Sequence, residues 1–182
     1  MLKNDTWIKS HIGDVIEGGE LGFKSRGVLS FGVSSFGYDV TLAPELKIMR
    51  NTGVIDPKAA LGAQWDNLEP AWDNAFVIPP HSFVLGYSKE YFKLPRNITG
   101  LVFPKSTYAR CGLTCCQTVL EAGWQGQITL EFANSTCAPV LMYANEGCAQ
   151  VLFYEGEPPC TSYADRCGKY QNQTGITLAR VN

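Results

Sequence analysis

Residues 124–134 read WQGQITLEFAN, and the alternation within that stretch governs how the rest of the chain is read. On an extended strand successive side chains point to opposite faces. Ile128, Leu130 and Phe132 therefore share one face, and Gln127, Thr129 and Glu131 share the other. The apolar face is suited to a core. The polar face has two readings: a solvated outer face of an antiparallel sheet, or a pocket wall whose low dielectric lifts the pKa of Glu131 toward the range useful for proton transfer.

Working outward, YDVTLA, FVLGYS, ITGLVF, PVLMYA and AQVLFYE are similar short apolar or alternating segments, punctuated by 18 glycines and 10 prolines. Many short strands between turn signals read as an all-β sandwich, barrel or jelly roll. Two helices interrupt the pattern. One is expected over roughly residues 3 to 17, capped by Asn4 or Asp5. The other runs through KSTYARCG, with a hydroxyl-rich start and Gly112 as its stop.

At 182 residues, 45% hydrophobic and 18% charged, the chain suits one domain with a substantial core. A formal net charge of -2 provides no broad basic face, which argues against nucleic-acid binding. No run approaches roughly 18 apolar residues, and MLKNDTWIKS lacks the apolar centre of a signal peptide, so a soluble cytoplasmic protein with no membrane partner is expected. The seven cysteines are odd in number and follow no regular framework, which favours reduced thiols. With two histidines and no Cys-x-x-Cys, neither a structural zinc site nor the zinc deaminase signature is present. Hydrolytic chemistry in this chain is expected to proceed without zinc.

The segment FPKSTYARCGL, residues 103–113, gathers Lys105, Ser106, Thr107, Tyr108 and Arg110 within six residues. Ser106 and Arg110 are four apart and share a helical face, so a phosphate or oxyanion site is one reading. An exposed, well-capped surface helix is the other. The tail SYADRCGKYQNQTGITLARVN, residues 162–182, has few apolar anchors, and its composition favours fraying. Its cations, phenols and amides would also suit a segment that closes over a polyanion and excludes water.

Together, KSTYARCGL, GWQGQITLEF, YANEGCAQVLF and GKYQNQTGITL, with SSFGYDVTL (34–42) and VIPPHSFVLGYSKEYFKLPRNI (77–98), resemble the motifs of the dCTP deaminases, relatives of the trimeric dUTPases. The resemblance runs in order along nearly the whole chain. It implies a mainly β, dUTPase-like distorted jelly roll or β-barrel with one or two short helices, assembling as a homotrimer with sites at subunit interfaces. It also implies one domain over residues 1–182, in which 161–182 form a flexible tail that closes over the nucleotide.

By the same resemblance the reaction is deamination of dCTP to dUTP and ammonia, with Mg²⁺ carried by the substrate triphosphate. Glu131 is the implied acid/base, with Ser106 holding the water and Arg110 stabilising charge around Glu131. Lys105, Ser106, Thr107, Tyr108, Ala109 and Arg110 form the implied nucleotide-binding loop. Thr129 and Leu130 form the wall beside the base, and Gln150, Tyr163, Lys169 and Gln173 supply further nucleotide contacts.

Three alternatives remain open at this level. Glu121 stands where dUTPases and bifunctional relatives carry a water-orienting aspartate, which would make the chain a bifunctional enzyme yielding dUMP and pyrophosphate. Residues 113–123, LTCCQTVLEAG, depart from the more apolar stretch of relatives at Cys115, Cys116 and Gln117, which admits a 5-substituted dCTP as substrate. A nucleotide-binding regulator without catalysis is the reading from another class, and dTTP, an inhibitor of some relatives, is a further candidate ligand.

Overall fold

The alternating segments pair antiparallel throughout the described sheets. The computed structural model describes residues 1–50, 53–58 and 63–180. In chain order the elements are α1 (Asp5–Ser10), β1 (Ile16–Glu17), β2 (Gly32–Ser34), β3 (Gly37–Thr41), β4 (Leu46–Arg50), β5 (Gln64–Leu68), β6 (Ala75–Ile78), β7 (Phe83–Lys93) and β8 (Ile98–Pro104). There follow α2 (Ser106–Arg110), β9 (Leu113–Cys115), β10 (Thr118–Leu120), β11 (Gln125–Asn134), β12 (Val140–Tyr143) and β13 (Gly147–Glu155).

One sheet runs β5-β4-β7-β11-β9, with β1 also on β7; a second runs β10-β8-β13-β3-β2; β12 and β6 form a separate ribbon. The mainly β architecture with two short helices is the one expected. The core takes the apolar face of β11, where Ile128, Leu130 and Phe132 are buried together with Tyr38, Phe92 and Phe153. Phe92 sits edge-on to Tyr38 with centroids 6.3 Å apart and lies 6.4 Å from Phe153. Full burial of each such ring stabilises the fold by about 1.5–3 kcal/mol.

The first helix is much shorter than residues 3–17. Asn4 caps it, accepting from the Trp7 amide at 3.2 Å, but the helix ends at Ser10. Gly13 adopts φ +99°, a backbone conformation that glycine takes readily and that no α-helix continues. Val15 and Ile16 are then buried, and Ile16 pairs with Phe92 on β7. The second helix covers Ser106–Arg110, within the expected segment and ending before Gly112.

β7 and β11 do not pair evenly. Gln127 faces Tyr91 and Thr129 faces Tyr87, so β7 takes four residue steps where β11 takes two. The Ser88 hydroxyl fills this bulge, accepting from the Ile128 amide at 2.8 Å and donating to the Glu90 carbonyl at 2.8 Å. The Glu90 carboxylate turns into the core at 1% exposure. It accepts from the Tyr38 hydroxyl and the Thr41 amide, both at 3.1 Å, and burial raises its pKa above the ordinary carboxylate value. No sequence pattern marked this residue.

Candidate active site

The polar face of β11 opens on a cavity of about 440 Å³. Thr129 and Glu131 line it from β11, Met49, Trp65, Phe83 and Leu85 from the neighbouring strands, and Tyr163, Tyr170, Gln173 and Thr177 from the C-terminal segment. Two side chains of this face, Thr129 and Glu131, thus meet a cavity, while Gln127 stands outside its lining. The strand's register explains the geometry: Glu131 pairs with Leu85 on β7, and its carbonyl accepts from the Cys116 amide at 2.8 Å. Both backbone flanks of the carboxylate are thus held.

Partial burial is the main influence on the Glu131 carboxyl, raising its pKa above the ordinary value, with a smaller opposing effect from its own backbone amide. A carboxylate so placed accepts a proton more readily at neutral pH than an exposed one. Leu130, by contrast, points into the core at 1% exposure, so only its backbone lies along the pocket wall.

Up to Arg180 the tail is described, and it is hydrogen-bonded back onto Trp124 and β11. The Tyr163 amide donates to the Ala122 carbonyl at 3.0 Å, and the Tyr163 hydroxyl accepts from the Tyr170 amide at 3.1 Å. The buried Trp124 indole donates to the Tyr170 carbonyl at 3.0 Å. Gln173, 8% exposed, reaches the Gln127 carbonyl at 2.8 Å through its side-chain amide. Gly126 makes the approach feasible: a Cβ there would lie 2.9 Å from the Gln173 carbonyl oxygen. Lys169 remains on the outside, over the Tyr170 ring at 5.2 Å and donating to the Arg180 carbonyl at 3.2 Å.

The other expected groups stand apart. Lys105, Ser106, Thr107, Arg110 and Gln150 do not line this cavity. Lys105 pairs with Asp39 at 2.7 Å, both side chains only about a tenth exposed, at 11% and 13%. Ser30 donates to the same carboxylate at 3.3 Å, and the Gln150 amide donates to it at 3.2 Å and to the Ser34 hydroxyl at 3.2 Å. Ser106, Thr107 and Arg110 are exposed and Ala109 half-buried on α2. Tyr108 is an anchor for that helix: its ring is buried, and its hydroxyl accepts from the Tyr143 amide at 2.9 Å. Within one chain the candidate residues thus form two groups, one around Glu131 and one around α2.

Glu121 lies at the cavity edge, where it pairs with Arg166 of the C-terminal segment. Cys115 is buried in the core, and Cys116 and Gln117 are exposed; none of the three lines the cavity. All seven cysteines are free thiols. No group of three or more His, Cys, Asp or Glu side chains is placed to hold a metal ion among the described residues. No helix among the described residues is long and apolar enough to cross a membrane. Gln127, Ser88, Asp39 and Arg166 received no role from the sequence, although Gln127 stands on the polar face of β11 and Asp39 and Ser88 fall within the stretches 34–42 and 77–98 that carry the resemblance.

An antiparallel β fold with a partly buried carboxylate on a pocket wall, roofed by its own C-terminal segment, defines a class of small-molecule site. The model of the dCTP deaminase-like family matches residues 5–156, and the chain belongs to that family. It is 45% identical over 185 residues to a dCTP deaminase of Erythrobacter litoralis and 46% identical over 185 residues to one of Herpetosiphon aurantiacus, covering 99% of both chains in each case. The fold is shared with the crystal structure of 2'-deoxycytidine 5'-triphosphate deaminase from Agrobacterium tumefaciens, at a TM-score of 0.62 and 16% identity. That likeness covers 85% of this chain and 48% of the other.

Proposed function

We propose that this protein is a dCTP deaminase, hydrolysing the C4 amine of dCTP to give dUTP and ammonia, with Glu131 as its acid/base. The observation that carries the reading is the Glu131 carboxylate, held on the cavity wall and biased toward protonation by burial. The family membership and the full-length relatives supply the substrate class.

Cytosine deamination needs a water at C4, a proton on N3 and a proton for the departing amine. Glu131 takes a proton from the water as its oxygen bonds to C4, and passes that proton to N3 as the C4–N3 double bond opens. It then transfers the second water proton to the C4 amine, which leaves as ammonia as the C4 carbonyl forms. Such acid/base work contributes about 10² to 10⁴ in rate. Gln173 and Thr177 of the C-terminal segment line the cavity, a position from which the segment can limit solvent access once the nucleotide is bound. The route is zinc-independent, and Mg²⁺ enters on the triphosphate oxygens as part of the substrate.

The distribution of the candidate groups supports a shared site. Ser106, Thr107 and Arg110 are exposed on α2 and stand outside the cavity that holds Glu131. A homotrimer in which α2 of one copy meets the Glu131 pocket of the next brings the water-holding hydroxyl of Ser106 and the charge of Arg110 to the carboxylate. Lys169 is exposed on the tail, where its ammonium can exchange the Arg180 carbonyl for the phosphates. The seven free thiols fit a cytoplasmic enzyme.

Glu121 is one methylene longer than the water-orienting aspartate of bifunctional relatives, which favours dUTP rather than dUMP as the product. Incubation of the protein with Mg²⁺ and dCTP, following ammonia, dUTP, dUMP and pyrophosphate together, tests the whole reading. Ammonia with accumulating dUTP is expected. Pyrophosphate and dUMP would establish the bifunctional alternative. No ammonia from dCTP would overturn the reading, after which turnover of 5-methyl-dCTP would separate an enzyme for 5-substituted substrates from an inert regulator.

A further inference from the structure

Gln127 lies outside every motif role assigned above, yet its polar groups tie the sheet to the C-terminal segment. We propose that Gln127 is the positioning residue that seats residues 173–177 over the Glu131 pocket. Its side-chain nitrogen donates to the Ser88 and Lys89 carbonyls at 3.1 and 3.3 Å, and its side-chain oxygen accepts from the Gly175 amide at 2.8 Å. Its backbone amide donates to the Gln173 carbonyl at 2.9 Å, and its backbone carbonyl accepts from the Gln173 side chain at 2.8 Å.

The division of labour is what identifies the role. The donor end is held by the sheet and the acceptor end holds the tail, a pairing that only a side-chain amide of this length satisfies. The bulge makes it feasible, because the register between β7 and β11 passes over residues 88–90 and leaves the Ser88 and Lys89 carbonyls for the side chain. A glutamate would set a carboxylate oxygen against two carbonyls. A methionine would fill the same space and make none of the three side-chain bonds. Gln173 and Thr177, brought in by this contact, both line the cavity, so Gln127 acts on the reaction through them rather than by touching the substrate.

The inference rests on the reading of the Glu131 cavity as the nucleotide site, and its test separates the two. Full-length Gln127→Met and Gln127→Asn are compared with the unaltered protein by amide hydrogen exchange of residues 171–178 and by steady-state kinetics with dCTP and Mg²⁺. Gln127→Met is expected to speed exchange at Gly175 by about tenfold or more. It should raise KM for dCTP about tenfold with kcat changed far less, the pattern of lost uniform binding. Gln127→Asn, one methylene shorter, should fall between the two and carries the test if the methionine variant fails to fold. Unchanged exchange over 173–177 in the folded variants would overturn the proposal, as would a loss confined to kcat. Faster exchange in a protein that does not turn over dCTP would uphold the latch and sink the site reading instead.

Discussion

The Thr177 amide donates to Thr129 Oγ1 at 3.1 Å, which fastens the C-terminal segment to β11 two residues before Glu131. One hydroxyl thus links the pocket wall to its cover. Thr129→Val retains the β-branched shape that the strand favours and deletes the acceptor. The lost bond weakens tail docking by about 1 kcal/mol, and KM for dCTP should rise roughly fivefold. Steady-state kinetics check this, and an unchanged KM would show that the tail does not contribute to binding.

Glu131→Gln is expected to lower kcat by at least about 10²-fold while nucleotide binding persists, since shape is conserved and only proton transfer is lost. In the unaltered enzyme the base must be ionised, so the acid limb of the kcat profile should lie above the ordinary carboxylate value of 4.5. Stability follows the same shift. The folded state holds this proton more tightly than the unfolded chain does, so the contribution is complete below the ordinary carboxylate range and is lost as pH rises through the raised folded value. The glutamine variant escapes that loss. Its melting temperature should exceed that of the unaltered protein near neutral pH and converge with it toward about pH 4; a gap that widens on acidification would contradict the assignment.

Mixing two inactive variants tests whether the site is shared between copies. Arg110→Ala and Glu131→Gln chains, each inactive alone, should regain activity when co-refolded if Arg110 of one copy serves Glu131 of the next. Random assembly of equal amounts into a cyclic trimer leaves about a quarter of the sites intact. Recovery near that fraction is expected in the ammonia assay, whereas a mixture as inactive as its parts would place both groups within one chain.

The Lys105–Asp39 pair should matter for stability. Asp39→Ala leaves a largely buried ammonium without its carboxylate and removes the acceptor for Ser30 and Gln150. A loss on the order of 2–3 kcal/mol is expected in urea unfolding, less than the roughly 3–5 kcal/mol of a broken fully buried pair because both side chains are still partly exposed. A change below about 0.5 kcal/mol would mean that the pair is solvent-like.

Much of the architecture was legible residue by residue. The apolar alternation of β11 predicted which side chains enter the core, because a strand has a period of two and burial selects one face. The hydroxyl-rich start and Gly112 marked α2. The first helix, expected from its Asn4 or Asp5 cap to run on to residue 17, stops short because Gly13 and the pairing of Ile16 with Phe92 redirect the chain. Composition alone does not reveal how the tail docks, because the Gly175 and Thr177 amides find their acceptors on Gln127 and Thr129, far away in the chain.

By itself the sequence determined the strand-rich class, the two faces of β11, the helix at Ser106–Arg110 and the family motifs, all of which depend on residues near one another in the chain. Only the tertiary structure decided that Lys105 meets Asp39 across 66 positions, that Glu90 turns inward, and that Gln127 joins a bulge to a tail 48 positions away. These contacts depend on register and on which strands become neighbours. Local periodicity carries no information about either, because the energy of a long-range hydrogen bond appears only after the sheets have closed around the core.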